Sequence, residues 1–208
     1  MDWLHAKENG YLMMIMGNMF SGKTTALRST LGKFLPLDLK VCYVNSDRDR
    51  RKCKGGNDKF TTHNSLNLSS DSLVEIKVKK LSDLNHRLTE FDVIGIDETH
   101  FFGDELVPTV LSWVREHRKC VIMSVLAGTF DRKPFTNRPL DLFSEADHRM
   151  VVDDAFCSVC WQDDKKVVRA PFTARISESS AELEAGGRAS YIPVCRKHHN
   201  CLHFKILE

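Results

Sequence analysis

The sequence predicts a layered α/β fold with a mostly parallel sheet, a phosphate loop at the sheet edge and a small metal-pinned segment after it. Three observations carry this expectation. Tyr11 to Thr25 reads as strand, glycine loop and helix, and Gly17-Asn18-Met19-Phe20-Ser21-Gly22-Lys23-Thr24 fits G-x-x-x-x-G-K-[ST]. Phe91 to Glu98 is an apolar strand closing on two carboxylates. Cys157/Cys160 and Cys195/His198 share one knuckle spacing, C-x-x-C/H.

The totals suit such a chain. Its 208 residues allow one domain plus an appendage, or two small domains, and 42% hydrophobic with 28% charged residues is ordinary for a globular protein. A net charge of +2 offers no strong field for nucleic acid or an anionic membrane. No apolar run approaches the ~18 residues that span a bilayer, and the start MDWLHAKENG lacks the pattern of a signal peptide. Seven cysteines without a secretory signal read as reduced thiols or metal ligands, so a cytoplasmic setting is expected.

In chain order, Leu12 to Met16 is short and apolar enough for a buried strand. Leu27, Leu31, Phe34 and Leu35 then recur as on one face of a helix. Gly17 and Gly22 let the intervening backbone wrap so that its N–H groups face phosphate oxygens, and the helix start adds its positive end. Lys23 is expected to reach the β- and γ-phosphates and the Thr24 hydroxyl to hold Mg²⁺. A second strand lies within Asp38 to Val44, followed by a polar run, Asn45 to Lys52, that reads as a solvated loop. A short strand within 71–80 and a short helix through Leu81, Leu84 and Leu88 follow. The strand ending at Asp97 and Glu98 has the Walker B form. At the carboxyl edge of a parallel sheet, Asp97 suits the Mg²⁺ shell, and Glu98 is free to take a proton from an attacking hydroxyl or to orient a water.

A helix is expected from about Asp104 to Arg118, with Leu106, Val107, Val110, Leu111 and Val114 inward and Pro108 in its first turn. Cys120 to Leu126 is a third buried strand, leading into Gly128-Thr129-Phe130-Asp131-Arg132-Lys133-Pro134-Phe135. Leu140, Leu142 and Phe143 are expected to pack near the end of this domain, with a last strand at Met150 to Val152. Three thiolates and one imidazole (Cys157, Cys160, Cys195 and His198) suit a closed tetrahedral zinc site, with His199 and Cys201 close enough to replace His198. Ala170 to Pro193 carries little apolar pattern and reads as a long loop serving as a binding lid. The division is therefore 1–154 for the phosphate-loop domain and 155–208 for the metal-pinned segment. Aromatic residues near the carboxylates favour a small flat acceptor, which makes the chain a small-molecule kinase. The competing readings are a nucleic-acid-dependent ATPase with a zinc ribbon and a non-catalytic nucleotide sensor.

The segments GNMFSGKTT, IDETHFF, GTFDRKPF, the Cys/His set and GGRASYIPVCR stand in the order and spacing of a known family, and the chain resembles thymidine kinases of that type from residue 11 to about 199. The resemblance implies a RecA-like P-loop fold with a zinc-binding lasso domain, ATP and Mg²⁺ as well as structural Zn²⁺, and a homotetramer. With the near-neutral charge and no spanning apolar run, no direct nucleic-acid binding and no membrane are expected. The implied reaction moves the ATP γ-phosphoryl to the 5′-hydroxyl of thymidine or deoxyuridine. Glu98 is then the base. Asp49 and Arg51 resemble the family's D-x-R loop, near metal and phosphates, which replaces the solvated-loop reading. Met19, Phe101, Phe130 and Phe135 resemble walls of the base pocket, with Thr173 beside the 5-methyl group. Tyr191 and the backbone of Glu182, Leu183, Glu184, Ala185 and Gly186 resemble the lasso. Asn18, His100 and Ala127 depart from the family's usual proline, glutamine and aspartate.

Overall fold

Strands that are apolar at every position need cover on both sheet faces, and this chain provides it. A computed structural model describes residues 3–48, 72–177, 186–187 and 189–205. After helix α1 (Trp3–Asn9), β1 (Tyr11–Gly17) leads into α2 (Lys23–Gly32), then β2 (Val41–Ser46) and β3 (Leu73–Val78). A 3-10 stretch (Leu81–Glu90), β4 (Val93–Ile96), a second 3-10 stretch (Thr99–Glu105), α3 (Leu106–Arg115), β5 (Cys120–Leu126) and β6 (His148–Val151) complete the layer. The six strands form one parallel sheet ordered β3-β2-β4-β5-β1-β6. β5 thus stands between the loop-bearing β1 and the carboxylate-bearing β4, an arrangement consistent with a RecA-like fold.

Side-chain alternation divides the core in two. Leu12, Met14, Val44, Ile94, Ile96, Val121 and Met123 pack under Leu84, Leu88, Leu106, Val110 and Trp113. Met13, Ile15, Val41, Tyr43, Val93 and Ile122 face Leu27, Leu31 and Phe34. The helix bearing the phosphate loop's lysine therefore covers the second face.

Several expectations change in detail. α2 stops at Gly32, so Phe34 packs from beyond the helix and Leu35 opens a short 3-10 turn. The helix expected over 104–118 is present as α3 and ends at Arg115, and Gly103 at φ 61 and ψ −158 separates it from the 3-10 stretch before it. Pro108 lies in the first turn of α3, as its missing N–H requires. Trp113 is buried while Val107, Leu111 and Val114 are only partly so, since the indole fills the face toward the 3-10 stretch and donates to Asn85 Oδ1 at 2.8 Å. Of the three late apolar residues only Leu142 is buried; Leu140 and Phe143 are exposed on a single 3-10 turn that presents one face to the core.

The C-terminal part contains β7 (Ala155–Phe156), α4 (Ser158–Asp164), β8 (Arg169–Ala170), β9 (Phe172–Arg175), β10 (Tyr191–Val194) and α5 (Arg196–Lys205). β7 pairs with β8, and β9 pairs antiparallel with β10. The segment read as one long loop from Ala170 to Pro193 therefore has paired strands at both ends. Pro193 is accommodated because β10 pairs on one side only. Residues 178–185 and 188 lie outside the described residues. No helix among the described residues is long and apolar enough to cross a membrane.

Candidate active site

The carboxyl ends of the parallel strands carry several of the predicted site residues. Gly17 pairs with Leu126 at the last rung of β1 and β5, so the phosphate loop and the 128–135 loop leave the sheet side by side. Gly22 caps α2 at φ 92, a left-handed backbone that favours glycine. Lys23 begins the helix and is buried, its Nζ donating to the Asn18 carbonyl at 2.6 Å, while Ser21 Oγ donates to the same oxygen at 2.7 Å. Met19, Phe20 and Thr24 are half-buried around it. Asn18 also reaches out of the loop: its Nδ2 donates to the Pro171 carbonyl, between β8 and β9, at 2.6 Å.

The carboxylate pair lies where β4 ends. Asp97 N donates to Val44 O at 2.9 Å, which carries the strand's pairing with β2 one residue further. The Asp97 carboxylate is buried and accepts three hydrogen bonds. Tyr43 Oη donates to Oδ2 at 2.7 Å, while Ser124 Oγ and the Glu98 backbone N–H (3.0 Å) donate to Oδ1. Burial, reinforced by the Asp97 charge, pushes the Tyr43 phenol well above its ordinary pKa, so it stays a proton donor. Arg28 lies over the Tyr43 ring at 4.8 Å and forms an ion pair with Glu75 of β3.

Glu98 adopts φ 50 and ψ 46, an uncommon left-handed conformation for a side-chain-bearing residue. Such conformations persist where surrounding structure enforces them, and here Thr99 is tied on both sides of its peptide. Its hydroxyl donates to Ser124 O at 2.8 Å and its carbonyl accepts from Asn137 Nδ2 at 3.0 Å. A Glu98 carboxylate oxygen lies 3.5 Å from His100 Nε2. His100 is packed between Phe101 and Phe135, with ring centroids 4.2 and 5.3 Å away.

The remaining aromatic residues form a second group. Arg175 is buried with its guanidinium 3.9 Å from the Phe130 ring centroid, and it donates to Tyr191 Oη at 2.6 Å. Thr173, two residues earlier on β9, is also buried. His199 Nε2 donates to the Phe130 carbonyl at 2.7 Å, and Arg132 Nη1 to Asn200 Oδ1 at 3.2 Å, so α5 grips the 128–135 loop. A cavity of about 590 Å³ under the following residues shares Phe135 with the predicted base walls and is lined by Ala127, but reaches none of Met19, Phe101, Phe130, Thr173 or Tyr191. The geometry around Glu98, and not this cavity, marks the candidate reaction centre. Asp49, Arg51, Glu182, Leu183, Glu184 and Ala185 lie outside the described residues, and Gly186 is half-buried at the end of that segment.

The four knuckle residues converge. Ligand atoms of Cys157, Cys160, Cys195 and His198 all lie within 4.8 Å of one another. His198 Nδ1 is 3.4, 3.4 and 3.5 Å from the three sulfurs, and Cys160 Sγ is 3.9 Å from Cys195 Sγ. A zinc tetrahedron with Zn–S near 2.3 Å and Zn–N near 2.0 Å has edges of about 3.5 Å (S···N) and about 3.8 Å (S···S), so the donor set fits the ion. Burial pushes the Cys157 thiol up, but backbone N–H groups of Cys160 and Cys195, with His198 and Cys160, bring it down to about 6. His199 faces Phe130 and Cys201 is exposed, which leaves His198 as the imidazole of the cluster.

A family model described as "Thymidine kinase" matches residues 10–199. The chain belongs to the thymidine kinase family. Among relatives, a thymidine kinase of Yaba monkey tumor virus is 32% identical over 188 residues, covering 90% of this chain and 93% of the relative. Thymidine kinase 1 of Dictyostelium discoideum is 34% identical over 192 residues, covering 92% and 78%. A vaccinia virus (strain Ankara) thymidine kinase is 33% identical over 189 residues, covering 90% and 96%.

Within this member of the thymidine kinase family, the sequence reading assigned no site role to Tyr43, Ser124, Arg175 and Asn137. A hydroxyl in the middle of the apolar run CVIMSVL was the available signal for Ser124. Asn137 and Arg175 carried none, since only folding brings them to Thr99 and Tyr191.

Proposed function

We propose that the chain is an ATP-dependent kinase that transfers the γ-phosphoryl group to the 5′-hydroxyl of thymidine or deoxyuridine. The observation that carries this reading is Glu98, held in a strained turn at the sheet edge shared with the phosphate loop, in a chain matched to the family over residues 10–199. Lys23 and the backbone of residues 17–24 bind the triphosphate, with Asp49 and Arg51 proposed to assist. Mg²⁺ supplies neutralisation of phosphate charge, and Thr24 and Asp97 would hold it. The nucleoside's base lies between Met19, Phe101, Phe130 and Phe135, with Thr173 beside the 5-methyl group and Tyr191 and residues 182–186 closing over it. Glu98 accepts the 5′-hydroxyl proton as the O5′–Pγ bond forms and the bond from Pγ to the leaving ADP oxygen breaks. Exclusion of water by the lid directs the phosphoryl group to the nucleoside. Cys157, Cys160, Cys195 and His198 would hold a structural Zn²⁺. Residues 1–154 and 155–208 are the two functional domains of this proposal, which also includes a homotetramer in the cytoplasm.

The test is a direct assay. Purified protein with Mg-ATP converts thymidine and deoxyuridine to their monophosphates, and Glu98→Gln lowers kcat by about 10²- to 10⁴-fold with ATP affinity retained. Hydrolysis of ATP stimulated by single-stranded DNA, with no nucleoside monophosphate formed, would overturn the reading.

A further inference from the structure

Tyr43, Asp97 and Ser124 come from β2, the end of β4 and β5, three neighbouring strands of the sheet. Period-2 alternation puts all three on the face covered by α2: Tyr43 and Ile122 belong to that core, and Asp97 and Ser124 lie two positions beyond Gly95 and Ile122. All are shut off from solvent, at 2%, 1% and 2% exposure. A hydroxyl here adds nothing to apolar packing and costs desolvation unless it is bonded. Both hydroxyls are bonded, and to the two different oxygens of one carboxylate. Oδ1 takes a second bond from the Glu98 N–H. Arg28 steadies the Tyr43 ring from α2, the helix that also begins with Lys23 and Thr24.

We propose that Tyr43 and Ser124 are positioning residues that clamp the Asp97 carboxylate in one orientation for the magnesium–nucleotide complex. The inference rests on the reading of Asp97 as part of the Mg²⁺ shell. Groups that hold a metal-facing carboxylate commonly matter about 10- to 100-fold to metal affinity or activity when removed. Both side chains are shut off from solvent and their hydroxyls donate to Asp97, so loss of the clamp is expected to act on the metal and not on the nucleoside.

The experiment measures ADP binding by calorimetry with and without Mg²⁺, and turnover as a function of free Mg²⁺. The proteins are the parent, Tyr43→Phe, Ser124→Ala and Asp97→Asn. Tyr43→Phe retains the ring beneath Arg28 and Ser124→Ala removes a single oxygen, and their thermal midpoints report any general loosening. The expected result is about a tenfold rise in the Mg²⁺ concentration for half-maximal turnover in each clamp variant. The gain in ADP affinity that Mg²⁺ confers falls by a similar factor, metal-free ADP affinity and thymidine KM stay within twofold, and kcat returns at high Mg²⁺. If Asp97→Asn shifts the Mg²⁺ dependence and both clamp variants do not, the clamp is overturned and the role of Asp97 stands. If Asp97→Asn itself leaves the Mg²⁺ dependence unchanged, the role of Asp97 falls and the clamp with it. A loss of metal-free ADP affinity equal to the loss with Mg²⁺ would reduce both residues to packing.

Discussion

Burial pushes the thiols of Cys42 on β2 and Cys120 at the start of β5 up to about 12. At pH 8 about one such thiol in 10⁴ is ionised, and the thiolate is the form that reacts. Cys201 is exposed. Iodoacetamide at pH 8 is therefore expected to label Cys201 in the native protein and to leave Cys42 and Cys120 unmodified until denaturant is added, as read by peptide mass spectrometry. Early labelling of either buried thiol would contradict the packing described. At this scale the phosphate-loop residues and the Asp97/Glu98 pair were legible because each motif is contiguous. Tyr43 and Ser124 were not, because their shared partner lies 54 and 27 residues away along the chain. Local spacing carries no trace of such a meeting.

Among the elements, β4 shows how a strand positions a helix. A Cβ on Gly95 would meet Leu31 Cδ1 at 2.4 Å, so the bare glycine lets α2 settle onto the sheet. Leu31 is fully buried and has little room to yield. Gly95→Ala is expected to cost about 1–3 kcal/mol in urea unfolding, as overpacked cores do, and to weaken nucleotide binding because α2 carries Lys23 and Thr24. Unchanged stability and affinity would show that α2 does not rest there. The strands β1, β4 and β5 were readable as largely apolar runs. The break before α3 was not, because it depends on the conformation taken by Gly103 and not on hydrophobic spacing. The β9–β10 pairing escaped for a related reason: four-residue strands that mix Thr, Arg or Pro with apolar residues have no run long enough to register.

Across the whole molecule, the Cys/His cluster and the loop bearing Phe130 share a helix. α5 supplies His198 to the cluster and, one residue on, His199 to the Phe130 carbonyl. Metal analysis is expected to find about one Zn²⁺ per chain. Its removal by a chelator should raise the thymidine KM about tenfold with a smaller effect on ATP, and amides 129–133 should lose hydrogen-exchange protection. A chelated protein with an unaltered loop and KM would uncouple the two. The knuckle spacing disclosed the clustering residues, but which of His198, His199 and Cys201 turns inward depends on how α5 sits against the 128–135 loop, and that contact belongs to the tertiary fold.

Asn18 carries one more implication, for how such a molecule can be taken apart. Its backbone oxygen accepts from Lys23 and its side chain grips Pro171, so one residue ties the phosphate loop to the chain between β8 and β9. A chimera that grafts a relative's C-terminal segment onto this core must match residue 18 to the carbonyl it meets. A cut at the proposed boundary near residue 154 therefore leaves a contact with the phosphate loop to be matched as well.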